Sequence, residues 1–201
     1  MNASPLAART IVMTDQRKII VDAAETMIRG GGYNGFSLEE VAEDLNMSME
    51  DIQVHFPLKG DLALAVAIRY TFNFLTALGD PTPADKSPED QLRHYCNVFH
   101  KAFEDSGQAC LCGVLSKDAE AMPAKVRNAV VDFVGANIDW LTRALAGGQS
   151  DQSFEDYKDS AQWIYCSLQG AMTAAALTGD KSWIESASKA ALERLFEKST
   201  G

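Results

Sequence analysis

The sequence predicts an all-α protein in which a three-helix head is followed by a larger helical body. Apolar residues recur at spacings of three and four through most of the chain, and this spacing places them on one face of a helix. The 201 residues are 46% apolar and include only 6 prolines, a composition that suits a compact helical protein with a sizeable core. Short stretches rich in glycine or proline divide the chain into segments of helix length.

The first helix of the head is predicted over residues 16–29, after a short arm that ends near Thr14. Its apolar residues share one face, and three consecutive glycines at 30–32 end it. We expect this face to pack across the two shorter helices that follow. Its residues are Ile19, Ile20, Ala23, Ala24, Met27 and Ile28.

Two short helices joined by a tight turn are predicted next. Apolar residues recur at helical spacing over residues 37–45, and Ser37 with Glu40 three residues later forms a capping box at the start of this helix. Residues 46–47 then carry the turn.

The second short helix begins after Ser48, whose hydroxyl suits an N-cap. It ends before Pro57, because proline disfavours helical backbone at the residue that precedes it. Ile52 and Phe56, four residues apart, give the helix one buried face. Two helices, a tight turn and a shared apolar face together indicate a helix-turn-helix, which reads DNA by placing its second helix in the major groove.

The segment GGYNGFSLEEVAEDLNMSMEDIQVHFPLKGDL resembles the N-terminal domain of the TetR family of bacterial transcriptional regulators. The usual pattern of that family is a Gly-aromatic turn, an "IA" or "VA" helix, a capped recognition helix, an "HF" pair and a Lys that opens the next helix. The resemblance covers roughly the first third of the chain. The matching residues are Gly32, Tyr33, Val41, Ala42, Ser48, His55, Phe56, Lys59 and Leu62.

The resemblance implies that the head, residues 1–60, binds operator DNA. Gln53 can read an adenine edge in the major groove, or it is an exposed polar residue on an idle helix. Met49 and Val54 can contact thymine methyl groups, or they belong to a surface that binds protein. The predicted DNA-binding residues are Ser37, Ser48, Met49, Gln53, Val54, His55 and Lys59.

The other four residues of this set also have two readings. Lys59 and His55 lie where the family contacts backbone phosphates, although His55 equally suits a packed residue that supports Phe56. Ser37 and Ser48 are helix caps in the first place, and a cap hydroxyl can also meet a phosphate.

The charge of the head opposes DNA binding. The whole chain carries a net charge of −10, and residues 1–60 hold five Lys and Arg against nine Asp and Glu, whereas a nucleic-acid reader usually has a basic surface. Glu50 and Asp51 lie in the first turn of the recognition helix, where they suit the helix dipole but meet a phosphate with like charge. A second hypothesis follows, in which the head does not bind DNA and the protein acts through protein or ligand binding.

The body, residues 61–201, is predicted to contain six helices. The first has an apolar surface too wide for an exposed helix, so we expect it to connect head and body. The segment CLCGVLSKDAEAMPAKVRNAV also resembles the "CLxGxL" stretch in the body of one TetR branch. The predicted helices cover residues 61–78, 87–106, 110–121, 123–146, 154–177 and 181–198.

The resemblance also implies two functions for the body. The last two helices of each subunit would pair with their mates in a homodimer, or the same residues only cover the core of a monomer. Aromatic residues among the body helices would line an apolar cavity for a small-molecule effector, or they are ordinary core. The predicted ligand-binding residues are Tyr95, Phe99, Phe103, Phe133, Trp140 and Trp163.

Other chemistry has little support in the sequence. It contains no glycine-rich phosphate loop, nucleophile elbow or HExxH motif, so we expect neither an enzyme nor a bound cofactor. The three histidines are not spaced as a metal site, and Cys110 and Cys112 are predicted to be buried free thiols. Residues 1–14 do not resemble a signal peptide and no run of about 18 apolar residues is found, so we expect a cytoplasmic protein.

Overall fold

A computed structural model describes residues 15–147 and 153–196. This part of the chain contains nine helices and no strand, so the predicted all-α fold is confirmed. The predicted N-terminal arm and the predicted end of the last helix, residues 197–198, lie outside the described residues. The helices are α1 (Asp15–Gly31), α2 (Leu38–Asp44), α3 (Met49–His55), α4 (Lys59–Leu78), α5 (Pro88–Glu104), α6 (Leu111–Ser116), α7 (Ala124–Ala146), α8 (Ser153–Thr178) and α9 (Ser182–Phe196).

The predicted helix-turn-helix is present as α2 and α3. The hydroxyl of Ser37 accepts the backbone N–H of Glu40 (3.1 Å), and the hydroxyl of Ser48 accepts that of Asp51 (3.1 Å). Between the helices Asn46 has φ 51°, a left-handed backbone that asparagine tolerates better than most residues. The Ser37 hydroxyl also donates to the Glu40 carboxylate (3.1 Å), so the capping box is closed through this hydroxyl rather than through the Ser37 backbone N–H.

Helix α4 runs from the head into the body. It packs against α1 of the head and against α5, α6 and α7 of the body, which explains its wide apolar surface. Ile20 of the head and Phe133 of the body belong to one continuous cluster of buried side chains. A movement of the head relative to the body therefore displaces packed side chains.

The same helix is apolar enough to cross a membrane by length and composition. We expected no such stretch from the sequence. Half of the helix is buried inside the protein. Within it, Arg69 forms ion pairs with Asp22 and Glu25 of α1. These are the properties of a core helix.

The predicted body helices are present, but two boundaries around α6 were wrong. The sequence predicts a helix over residues 110–121, whereas α6 ends at Ser116 and turns lead on to Pro123. Pro123 has ψ 146° and is the N-cap of α7 rather than its first residue. Because proline disfavours helical backbone at the preceding residue, Met122, the two helices cannot join.

The last three described helices, α7, α8 and α9, belong to the body. Helix α8 packs along α7 and α9, and α9 also packs against α5. Gly147, with φ 61°, ends α7 in the left-handed conformation that the predicted glycine stop requires.

Candidate nucleic-acid interface and ligand cavity

Helix α3 presents a short exposed surface. Ile52 is fully buried beneath it, and Phe56 at its C-terminal end is fully buried as well. On the outer side Gln53 is exposed, and Val54 has 79% of its surface accessible to solvent. This orientation is the one in which a recognition helix can enter a groove of DNA.

The two cap hydroxyls are occupied within the protein. The Ser48 hydroxyl accepts the Asp51 N–H and donates to the Asp51 carboxylate (2.8 Å), and Ser37 relates to Glu40 in the same way. A phosphate could accept from either hydroxyl only by displacing a carboxylate. Met49, also predicted to contact DNA, is half-buried and packs against the core.

Lys59 is held at the start of α4 by two aromatic rings. Its ammonium nitrogen lies 4.7 Å from the ring centre of Tyr33 and 4.8 Å from that of Phe36. Such cation–π contacts stabilise the cation by about 0.5–1 kcal/mol at exposed sites. The Gly-aromatic turn of the sequence therefore positions the predicted phosphate-binding lysine.

His55 is tied to the first helix. Its carbonyl oxygen accepts a hydrogen bond from Arg17 Nη1 (2.8 Å), and its ring Nε2 lies 3.4 Å from Gln16 Oε1. The Arg17 guanidinium also covers the Phe56 ring at 4.2 Å. His55 and its neighbours thus join α3 to α1. The phosphate contact and the support of Phe56 that the sequence suggests for this histidine both stay predictions.

The surface around α3 is acidic. Glu39 and Glu40 in the first turn of α2, and Glu50 and Asp51 in the first turn of α3, are all exposed. The described head, residues 15–60, contains four Lys and Arg residues and nine Asp and Glu residues. Any DNA bound here would depend on few phosphate contacts.

A cavity of about 340 Å³ lies where α1 meets α4 and α5, and we call it the junction cavity. Its walls combine aromatic and aliphatic groups with a few charged groups, a mixture typical of small-molecule sites. Spacing along the chain does not reveal this cavity, because its residues come from three separate stretches of the sequence. They are Glu25, Arg29, Tyr70, Asn73, Phe74, Ala77, Val98, Lys101, Ala102, Asp105 and Ser106.

None of the six aromatic residues predicted to bind ligand lines the junction cavity. Tyr95, Phe99 and Phe133 instead surround Phe74, with ring centres 5.3–6.4 Å from it. Trp140 stacks on Tyr95 at 5.5 Å. The structure therefore brings four of the six together, in an aromatic cluster whose central ring, Phe74, also forms a wall of the junction cavity.

The other two lie apart from the ring contacts of this cluster. Phe103 is buried, and Trp163 on α8 is half-buried under the guanidinium of Arg194, 4.5 Å from its ring centre. The ligand-binding role of all six residues stays a prediction.

Polar atoms inside the aromatic cluster have partners. The Tyr95 hydroxyl donates to Asn137 Oδ1 (2.7 Å), and Trp140 Nε1 donates to the carbonyl of Gly79 (2.8 Å). Burial raises the pKa of Tyr95 well above its usual value, so this hydroxyl remains a donor.

Cys110 and Cys112 are buried free thiols, as predicted. The Tyr70 hydroxyl donates to Cys110 Sγ (3.4 Å). Burial raises the pKa of Cys112 well above its usual value, which keeps this sulfur in the unreactive thiol form.

Comparison of the sequence with protein-family models and with curated proteins finds no match. Solved structures do match. A TetR transcriptional regulator from Legionella pneumophila has a TM-score of 0.82 at 24% identity, with 92% of this chain and 100% of that chain covered. A TetR-family regulator from Agrobacterium tumefaciens has a TM-score of 0.78 at 24% identity, covering 90% of this chain and 97% of that one. The chain has the TetR-family fold.

A third structure, regulatory protein TetR from Rhodobacter sphaeroides, has a TM-score of 0.77 at 17% identity, with 90% and 98% of the two chains covered. These matches extend over nearly the whole length of each protein. The TetR-family fold therefore includes the body as well as the head, although the main sequence resemblance lies in the head alone.

Proposed function

We propose that the protein is a homodimeric, ligand-responsive transcriptional regulator that binds operator DNA through α3, most simply as a repressor. One observation carries this proposal: a complete helix-turn-helix, with Gln53 and Val54 directed outward, stands on a TetR-family fold. The three compared structures are described as regulators. The protein would act in the cytoplasm as a non-enzyme, without a cofactor.

In this proposal the two domains are a DNA-binding head, residues 1–60, and an effector-binding and dimerisation body, residues 61–201. Lys59 would contact a backbone phosphate, and Gln53 would read a base edge in the major groove. Two heads would occupy successive major grooves about 34–36 Å apart.

Dimerisation would use α8 and α9. An exposed stripe on α8 contains Cys166, Gly170, Thr173 and Leu177, spaced so that all four lie on one side of the helix. Leu177 is 87% exposed, and Trp183 on α9 is 50% exposed. Apolar side chains beside a small residue such as Gly170 suit close packing of a second helix.

An effector bound in the body would act by changing the position of the heads. Because α4 is packed against both head and body, a ligand that binds only one arrangement of these helices shifts the population toward that arrangement. Coupling of this kind typically changes DNA affinity by about 5–150-fold.

The acidic surface favours a second candidate function, in which the head has lost DNA binding and instead binds a protein. Glu50 and Asp51 are exposed where a phosphate would approach, and Val54 beside them is an exposed apolar side chain. Negative charges at that position repel the phosphates of DNA and are compatible with a protein partner.

Selection of bound fragments from genomic and random DNA by the purified protein, at low and at physiological salt, separates the two candidates. A regulator enriches a defined motif, and the enrichment persists at physiological salt. Enrichment of no motif at either salt would overturn the regulator proposal and favour the protein-binding candidate.

A further inference from the structure

Arg29 is a charged group at the junction of head and body. Its guanidinium carbon lies 5.6 Å from the ring centre of Tyr70, and in the described part of the chain no carboxylate forms an ion pair with it. Its Nε is buried and has no hydrogen-bond acceptor there. A buried donor left without a partner costs free energy, so its presence calls for an explanation.

The two carboxylates that line the junction cavity with Arg29 pair with other cations. Glu25 is bound by Arg69 Nη2 (2.6 Å), and Asp105 is bound by Lys101 Nζ (3.2 Å). Of the four charged side chains around the junction cavity, three thus have an opposite charge beside them, and Arg29 is the remaining cation. An anionic group of a ligand could supply the counter-ion that Arg29 lacks among the described residues.

The rest of the junction cavity is largely apolar. Tyr70, Phe74 and Val98 provide aromatic and aliphatic wall, and the volume of about 340 Å³ lies within the usual range of small-molecule sites. On its other side Arg29 borders a more polar cavity of about 440 Å³, which Arg69 and the carboxylates of Asp22, Glu25 and Asp105 also line. These acids disfavour an anion deep in that second cavity, so the anionic group of a ligand would have to lie directly at Arg29, with its apolar part in the junction cavity.

We propose that the junction cavity binds a small amphipathic carboxylate, with its carboxylate paired to Arg29 and its apolar part against Tyr70, Phe74 and Val98. Binding itself needs no DNA. The further role of this ligand as the effector rests on the proposed function: Arg29 belongs to α1 of the head, whereas the apolar wall belongs to α4 and α5, so the ligand bridges the two parts whose relative position would set DNA affinity.

The proposal is tested by calorimetric titration of the full chain with 3-phenylpropanoate and with octanoate, each beside its neutral primary amide. The carboxylates should bind about tenfold or more tightly than the amides, because a charge-assisted pair replaces an unpaired cation. Arg29→Gln should abolish this preference. Arg93→Gln, which removes a cation paired with Glu89 on its own helix (2.7 Å), should retain it.

A blocking variant keeps the test decisive if Arg29→Gln does not fold. Ala102→Phe leaves Arg29 in place and fills the cavity from α5, and it should abolish binding of both carboxylates. Equal binding of carboxylates and amides by the wild type, or an unchanged preference in a folded Arg29→Gln or Ala102→Phe variant, would overturn the assignment.

The titration without DNA, set beside the DNA selection described above, distinguishes this site from the proposed function. A carboxylate that binds through Arg29 to a protein with no DNA affinity would support the site and contradict the regulator. Specific DNA binding together with no carboxylate preference would support the regulator and contradict the site.

Discussion

Asp118, two residues after the end of α6, accepts two hydrogen bonds from Asn34 in the turn between α1 and α2. The Asn34 backbone N–H lies 3.2 Å from Asp118 Oδ2, and its side-chain amide nitrogen lies 3.1 Å from Oδ1. The pair joins the body to the head beside the glycine turn that precedes the helix-turn-helix. Changes in the body at α6 can therefore reach the head through this contact.

Replacing Asp118 by Ala should loosen the turn of the head while the body remains folded. Both hydrogen bonds are exposed, so we expect the free energy of unfolding to fall by about 1 kcal/mol and amide exchange in residues 32–37 to become faster. Hydrogen–deuterium exchange measures the second effect. Asp139→Ala is the control, since Asp139 pairs with Arg143 on its own helix (2.8 Å). Equal exchange in both variants would contradict the head–body link.

Two glycines at the end of α1 should respond oppositely to alanine. A Cβ on Gly32 would lie 2.4 Å from Asp118 Oδ2 and 2.5 Å from Lys117 Cε, and Gly32 has φ 77°. Gly32→Ala should therefore reduce the free energy of unfolding by about 1–2 kcal/mol. Gly30 is helical and has open space around it, so Gly30→Ala should raise the free energy of unfolding by about 0.5–1 kcal/mol. Urea denaturation of both variants checks this, and a change of the same sign in both would be contrary to the structure.

Leu177→Glu should convert a dimer into a monomer. Leu177 is 87% exposed in the single chain, and a carboxylate in an apolar helix contact would be buried opposite its own symmetry mate. Sedimentation of the variant measures the molecular mass. Val131→Glu on α7, where the valine is 61% exposed, is the control and should leave the dimer intact. An unchanged mass for Leu177→Glu would place the subunit contact elsewhere.

Glu50→Lys should raise the affinity for DNA of any sequence. The residue is exposed in the first turn of α3, and a lysine there could gain one phosphate contact, which would steepen the dependence of log affinity on log salt by about 0.9. Asp51 is left unchanged, because it completes the Ser48 cap. Asp139→Lys makes the same change of net charge in the body. Equal gains in the two variants would mean that position 50 does not face the DNA.

The head could be predicted from the sequence because its determinants are local. The caps Ser37 and Ser48 and the turn at Asn46 act within a few residues, so spacing alone identifies them. The length of α6 was overestimated because its end is not set by local determinants. Apolar spacing continues past Ser116, but the turns before Pro123 depend on how the chain must reach α7.

The junction cavity could not be predicted, since it depends on which side chains converge in space. In the sequence, Arg29 is an ordinary basic residue near the end of a helix, and Phe74 is one of many apolar residues of α4. Periodicity identifies a buried aromatic ring such as Phe133 without saying whether it faces a cavity or fills the core.

The most direct test of the regulator proposal is the ratio of affinities for a selected DNA fragment and for a shuffled fragment of equal length, measured by fluorescence anisotropy at physiological salt. We expect the wild type to prefer the selected fragment strongly. Gln53→Ala should reduce this preference at least about tenfold, and Asn97→Ala, a change at an exposed position of α5, should leave it unchanged. A wild type that binds both fragments equally, or neither, would contradict the proposal that α3 reads operator DNA.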